Sequence, residues 1–340
     1  MKIIKAIFGI ALISSLFSCE NEVEINADFQ EETYILGLID AGADSQFVKI
    51  TRTFLDNETG AVQLAQDPNK LYYDSLNVTL NELDNNNNIV DTLQLSRIIR
   101  PKNNGLFTTE RNEAYVLGEQ LKENINYRLN VAKFDGSNVT SGAAKTSGGV
   151  VLTKPRVQVN GKLSLADFRE TVVNYRFEFE TTDQVGEFSV RMVFNYLEIV
   201  NIDSIVKSIE IPLTSILNPT LRPTTHVFTF EGQRFFTAIT DNIPAEINPP
   251  RRLILTKGID IIIEAADADY TLFRDINGPI DGLAQTRPEY TNITNGIGLF
   301  ASRSTIVNKV SLSGDTKNLI FSLFGDRDNN LSEYRGFDPE

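Results

Sequence analysis

The chain has 340 residues, 41% hydrophobic and 23% charged, with 32 basic and 45 acidic side chains and a formal charge of −13. That composition is globular and long enough for two packed domains, and its acidic excess argues against nucleic acid as a partner, because phosphate backbones are met by clustered Lys and Arg. One Cys excludes an intrachain disulfide framework and a multi-thiolate zinc site, and one His (His226) excludes a multi-histidine metal site, so no metal or cofactor is expected.

Residues 1–18 read as a signal peptide. Lys2 and Lys5 form a short positive start, and Ala6 to Phe17 is an apolar stretch of twelve residues. A bilayer span needs roughly 20 apolar residues, so this stretch is too short to cross. Leu16-Phe17-Ser18-Cys19 resembles a bacterial lipobox, which implies that Cys19 is the lipid attachment site and the first mature residue. The alternative is an ordinary secretory signal with a Cys nearby. Removing residues 1–18 takes away two lysines and moves the formal charge to −15. One acyl chain is a marginal anchor, but the two or three chains of a lipoprotein hold a protein on the membrane.

Glu20, Glu22 and Glu24 follow at once. Three carboxylates beside a lipid anchor resemble the acidic export signal of Bacteroidota surface lipoproteins, which implies display on the cell exterior. A solvated acidic linker is the alternative. Residues 19–33 read as a flexible tether that reaches about 50 Å when extended.

From Tyr34 the pattern changes to period two. Tyr34–Ile39 and Gln46–Phe54 are rich in β-branched and aromatic residues and flank a turn at Asp40–Asp44. Phe47, Lys49, Thr51 and Thr53 alternate against Val48, Ile50, Arg52 and Phe54, the signature of a half-buried strand. Leu76–Leu80 alternates likewise, turns through Asp84–Asn88 and returns along Ile89–Leu95. Asn126–Val131 is another strand, closed by a turn at Asp135-Gly136. These short strands predict an N-terminal β-sandwich over 34–149, with Thr140–Gly149 as the junction.

A second β-rich domain is expected over 150–325. Its strands are Tyr175–Glu180, Phe188–Phe194, His226–Phe230 and Ile259–Glu264. Gln233–Asp241 carries Phe235, Phe236 and Ile239 at helical spacing, and Ala265–Ile276 carries Tyr270, Phe273 and Ile276, with Asn277-Gly278 as a stop. These stripes face either the core or a partner. Residues 326–340 read as a polar tail. The fold class is therefore mainly β, with two or three short helices in the second domain.

Three segments carry a family resemblance: Tyr34–Asp40 with Val48–Phe54, Asn126–Val131 with its turn, and Tyr290–Ala301 preceded by the Tyr270–Ile276 helix. Together they make the chain resemble a Bacteroidota outer-membrane lipoprotein family of unknown function (DUF4249-like), often encoded beside SusC-like TonB-dependent transporters. The resemblance implies an outer-membrane accessory protein whose N-terminal sandwich is immunoglobulin-like or fibronectin III-like, and it supplies no catalytic residues.

The chemistry of the chain is sparse. Gly296-Ile297-Gly298 lacks the rest of a phosphate-binding loop and reads as a packed turn. His226 lies in a strand with no identifiable nucleophile or orienting partner. Asp260, Glu264, Asp267 and Asp269 cluster near a strand-to-helix junction, where Asp267 or Asp269 suits a helix cap. Asp326–Asn330 has oxygen ligands at alternate positions, but Leu331 and Phe337 stand where an EF-hand needs Gly and Glu. Asp74-Ser75-Leu76, Asp91-Thr92-Leu93 and Asp203-Ser204-Ile205 match the Bacteroidota O-glycosylation pattern, marking Ser75, Thr92 and Ser204 as candidates, although three such short matches also arise by chance. The expected function is a non-enzymatic, surface-exposed lipoprotein. It is held to outer-membrane lipid through Cys19 and serves an integral β-barrel complex, either a TonB-dependent transporter or protein-assembly or secretion machinery. The alternatives are a surface glycan- or protein-binding adhesin and a carboxylate-based hydrolase.

Overall fold

The computed structural model describes residues 29–56, 59–134, 136, 139–218, 220–278, 289–325 and 334–338. In chain order the elements are β1 (Thr33–Asp40), β2 (Gln46–Arg52), α1 (Ala61–Ala65), α2 (Pro68–Leu71), β3 (Leu76–Leu83), β4 (Ile89–Gln94), β5 (Ser96–Ile99), β6 (Glu113–Leu117), β7 (Asn126–Lys133), β8 (Thr140–Lys145) and β9 (Val150–Lys154). Then come β10 (Lys162–Leu163), β11 (Tyr175–Thr181), β12 (Val185–Val200), β13 (Asp203–Leu217), β14 (Thr225–Phe230), α3 (Gln233–Asn242), β15 (Arg251–Asp267), α4 (Ala268–Asn277), β16 (Ile293–Thr294), β17 (Ile297–Leu312) and α5 (Gly314–Phe324). The chain is mainly β, as its alternation predicts.

Local rules explain the first elements. β1 and β2 form the expected antiparallel hairpin, with Ile35 opposite Ile50. Val48 and Ile50 are buried while Phe47 and Lys49 turn outward. β3 and β4 pair across the Asn-rich turn, where the Asp84 carboxylate accepts hydrogen bonds from the backbone N–H groups of Asn86 and Asn88, both at 2.8 Å. Thr140–Lys145, expected as part of the junction, is instead strand β8, because it completes its backbone bonding against β7 and β16.

Three sheets result. One has nine strands in the order β13-β12-β15-β17-β1-β2-β6-β5, with β10 also paired to β17. A five-stranded sheet runs β16-β8-β7-β3-β4, and a three-stranded sheet runs β14-β11-β9. Two cores lie against the large sheet. The first forms a β-sandwich in which Ile35, Ile39, Val48 and Ile50 meet Val78, Leu80, Tyr127 and Leu129 of the five-stranded sheet. The second packs β12, β15 and the end of β17 against β11, β14, α3 and α5, and is dominated by phenylalanines such as Phe177, Phe194, Phe235 and Phe337. Each fully buried Phe contributes about 1.5–3 kcal/mol.

β17 joins the two halves. Ile297–Arg303 pairs parallel with β1, and Arg303–Val310 pairs antiparallel with β15. The large sheet is therefore staggered about Arg303, whose register partners are Asp40 on one side and Ala266 on the other.

Two further expectations need correction. Ala265–Asp267 is the end of β15 rather than helix, since Ala265 and Ala266 pair with β12 and β17 on both sides; the helix begins at Ala268. The expected polar tail is not wholly solvated. Phe337 is fully buried near Phe194 and Tyr196, and Arg252 N–H donates to Gly336 O at 2.7 Å.

Candidate functional site

Cys19, Glu20, Glu22, Glu24, Asp135 and Asp326–Asn330 lie outside the described residues. Ser75, Thr92 and Ser204 are all exposed: Ser75 precedes β3, Thr92 sits on β4 at a sheet edge, and Ser204 sits on β13 at another. Among the described residues no helix is long and apolar enough to cross a membrane.

The acidic cluster is spread over separate structural tasks. Asp260 meets Lys309 at 3.0 Å and Asn195 at 2.9 Å, and Glu264 meets Arg191 at 2.5 Å. Asp267 caps α4: one oxygen accepts from Tyr270 N–H at 2.9 Å, and the other accepts from Ser302 N–H at 2.6 Å. Burial pushes its carboxyl up to about 6 against the pull of those backbone donors. Asp269 accepts from the Tyr290 hydroxyl at 2.7 Å and the Asn292 amide at 2.9 Å. The Asn292 side chain also pairs with both backbone groups of Phe300, at 2.9 and 2.7 Å. The Tyr290–Asn292 segment is thus a latch between α4 and β17. Gly298, at φ +116°, continues it: a Cβ there would sit 2.0 Å from Ile35 O, so the close approach of β1 to β17 requires glycine.

His226 faces Phe179 across β11 and β14 and meets the Phe188 ring edge-on at 5.3 Å. Its Nε2 has no hydrogen-bond partner among the described residues, and burial lowers its pKa.

A different feature stands out at the surface. β12 and β13 form a hairpin turned by Asn201-Ile202, with Val200 opposite Asp203. Asn201 supplies the left-handed backbone at φ +58°. Ile202 is 97% exposed, and Val200, Ile205 and Val206 beside it are about half exposed. β13 is the outermost strand of the large sheet, and Asp203–Ser208 is exposed throughout. Farther along, α3 protects the edge, with Arg234 donating to Pro212 O at 2.5 Å. Beneath the tip, buried Glu198 is held by Arg252 at 2.7 Å and Lys207 at 2.6 Å. Burial raises its pKa, but these charged donors outweigh that effect and leave it below the ordinary carboxylate value.

The hairpin lies far from the chain's entry to the fold. Thr33 enters beside Ile297, at the start of β17. The tip lies beyond the other end, because β15 runs antiparallel to β17 and its first residue, Arg251, pairs with Ile199. Ile297 to Val310 alone spans about 40 Å. Sequence reading missed this hairpin; its signal was an aliphatic residue, Ile202, at an Asn-bearing turn between two apolar segments.

No family model matches the chain, and no curated protein matches it. Among solved structures it is similar to the C-terminal globular domain of an oligosaccharyltransferase from Pyrococcus abyssi. The identity is 11%, over 57% of this chain and 35% of that one, with a TM-score of 0.19. The chain thus spans about a third of that protein, and a likeness of this size carries no functional argument.

Proposed function

We propose that the protein is a non-enzymatic, lipid-anchored accessory subunit on the exterior of the outer membrane, akin to the Bacteroidota lipoproteins its sequence resembles. Acylated Cys19 holds it to the bilayer, and Glu20, Glu22 and Glu24 direct its export. The β12–β13 tip docks on an integral β-barrel partner, a TonB-dependent transporter or an assembly or secretion barrel. One observation carries the reading: a cluster of exposed aliphatics, with Ile202 at 97% exposure, caps the end of the fold opposite the tether's entry. Water disfavours such a cluster, and contiguous exposed apolar surface marks interaction sites. The bare first half of β13 offers backbone donors and acceptors beside it.

The test is a photocrosslinking residue at position 202 in the full-length tagged chain, followed by detergent extraction and mass spectrometry. A β-barrel protein crosslinked in stoichiometric yield is expected. Ile202→Asp with Val206→Asp should abolish the crosslink while the chain stays membrane-bound, and Cys19→Ala should release it from membranes. Recovery of no stoichiometric barrel, or a crosslink that survives the double substitution, overturns the proposal.

A further inference from the structure

The outer face of the large sheet carries a second feature, independent of the hairpin. Leu36, Leu38 and Phe47 turn away from the first core and line a groove of about 550 Å³. That volume lies in the range of small-molecule sites. Leu36 and Phe47 are each 39% exposed. Lys49, Arg100 and Arg303 border the same groove. Three cations converging on an apolar floor are unexpected in a chain of charge −13.

The carboxylates nearby are already engaged. Glu113 is buried and is met by Arg111 at 2.9 Å and Arg97 at 3.7 Å. Asp40 is buried, accepts from Gly42 N–H at 2.9 Å, and lies 3.7 Å from Arg303. Lys49 spends its donors on neutral oxygens: the Tyr72 hydroxyl at 2.7 Å, Asn112 Oδ1 at 2.7 Å and Glu113 O at 2.8 Å. The Arg100 guanidinium lies over the Phe47 ring, 4.5 Å from its centroid. Among the described residues, no carboxylate lies within ion-pair distance of Lys49 or Arg100. Burial, followed by the neighbouring Lys102 charge, pushes Lys49 down to about 8, while Glu113 acts in the opposite direction. The ammonium therefore stands in a place where a further negative charge would relieve it.

We propose that this groove binds an amphiphilic anion, a carboxylate or an anionic phosphate ester on an apolar body. The apolar body lies on Leu36, Leu38 and Phe47. Arg100 and Arg303 donate to the acidic group, a pairing in which a guanidinium presents two parallel N–H bonds. Lys49, whose donors are already used, contributes charge from beneath. Such an anion can come from a free solute or from a lipid headgroup.

The experiment titrates the full-length folded chain with phenylacetate, phenyl phosphate and neutral phenylacetamide, read by NMR shifts, and with phosphatidylglycerol or phosphatidylcholine vesicles, read by co-sedimentation of the Cys19→Ala chain. Both anions should bind at least about tenfold more tightly than the amide, as a charge-assisted pair implies. Arg100→Gln removes an exposed side chain with no carboxylate partner, so its thermal melt should be unchanged while anion affinity falls about tenfold. Arg303→Gln should weaken the anion as much but also lower the melt, because it takes the charge beside buried Asp40. Loading should raise the Lys49 pKa above about 8. Arg100-dependent binding to phosphatidylglycerol vesicles, with the phenyl anions silent, assigns the headgroup as the source. Equal binding of acid and amide, anion binding indifferent to both substitutions, or no binding in either format overturns the proposal.

Discussion

β17 is one strand that serves two cores, and its halves behave differently. From Gly298 to Ser302 every residue is buried, because the sandwich covers one face, α4 packs against this half, and the Asn292 side chain closes the strand edge that β15 leaves open. From Arg303 onward the burial alternates, with Arg303, Thr305, Val307 and Lys309 exposed. The backbone is extended throughout, so the covering elements set the pattern and strandedness alone does not. The same contrast holds across the large sheet. Its N-terminal edge, β5, has four residues, whereas its C-terminal edge, β13, has fifteen with a bare first half. Short edges offer little to pair with, and a long bare edge is a template for another chain.

The largest test breaks the covered half. Gly298→Ala would place a methyl group 2.0 Å from Ile35 O at φ +116°, so β1 must part from β17. A loss of about 3 kcal/mol or more in urea unfolding is expected, since overpacking and a strained backbone add. Hydrogen exchange should quicken over Tyr34–Asp40 and spare Ile306–Val310. A uniform loss of protection would erase the distinction between the halves.

A pH series sharpens the boundary between them. Asp267, bonded to Ser302 N–H, has its folded pKa raised from 3.8 to about 6 by burial. The folded state therefore holds a proton that the unfolded state has released between those values. Asp267 contributes stability that is fully present below about pH 4 and lost as pH rises through about 6. Asp267→Asn keeps a cap acceptor but cannot titrate, and it adds a pH-independent penalty at Ser302. The stability of the native chain relative to this variant should fall by about 2–3 kcal/mol from pH 4 to pH 7, and then stay flat. A difference that does not change with pH would show that the carboxylate is ionised throughout.

How much of this was legible follows from the same contrast. The hairpin β1–β2 could be read because Val48 and Ile50 give β2 one buried face, and β3–β4 because the Asp84–Asn88 turn closes it. The α3 stripe of Phe235, Phe236 and Ile239 was readable because all three enter one core. β17 was not, because its periodicity changes where its covering changes. The exposed start of β13 has no buried face to impose alternation. Ala265 and Ala266 read as helix because alanine favours helix, and double-sided pairing overrode that preference. Lys49, Arg100 and Arg303 are distant in sequence and meet only through the order of strands. Asp267 as a helix cap was within reach of sequence, since it is a short acidic residue before an apolar stripe; its bond to Ser302 was not.

The smallest effect separates two serines on one face of β17. Ser302 is fully buried, and its hydroxyl accepts from Ser147 N–H at 3.0 Å. Ser304, two residues on, is also buried, but its Oγ has no hydrogen-bond partner among the described residues. Removing the first hydroxyl leaves a buried N–H unpaired, whereas removing the second takes away a polar atom that was dehydrated without return. Ser302→Ala should therefore cost about 1–2 kcal/mol, and Ser304→Ala should stabilise by about 0.5 kcal/mol or leave stability unchanged. Both are read from denaturant midpoints at constant slope. If Ser304→Ala destabilised as much as Ser302→Ala, the Ser304 hydroxyl would have a partner in solution, and the two halves of the strand would be alike in how they satisfy their polar groups.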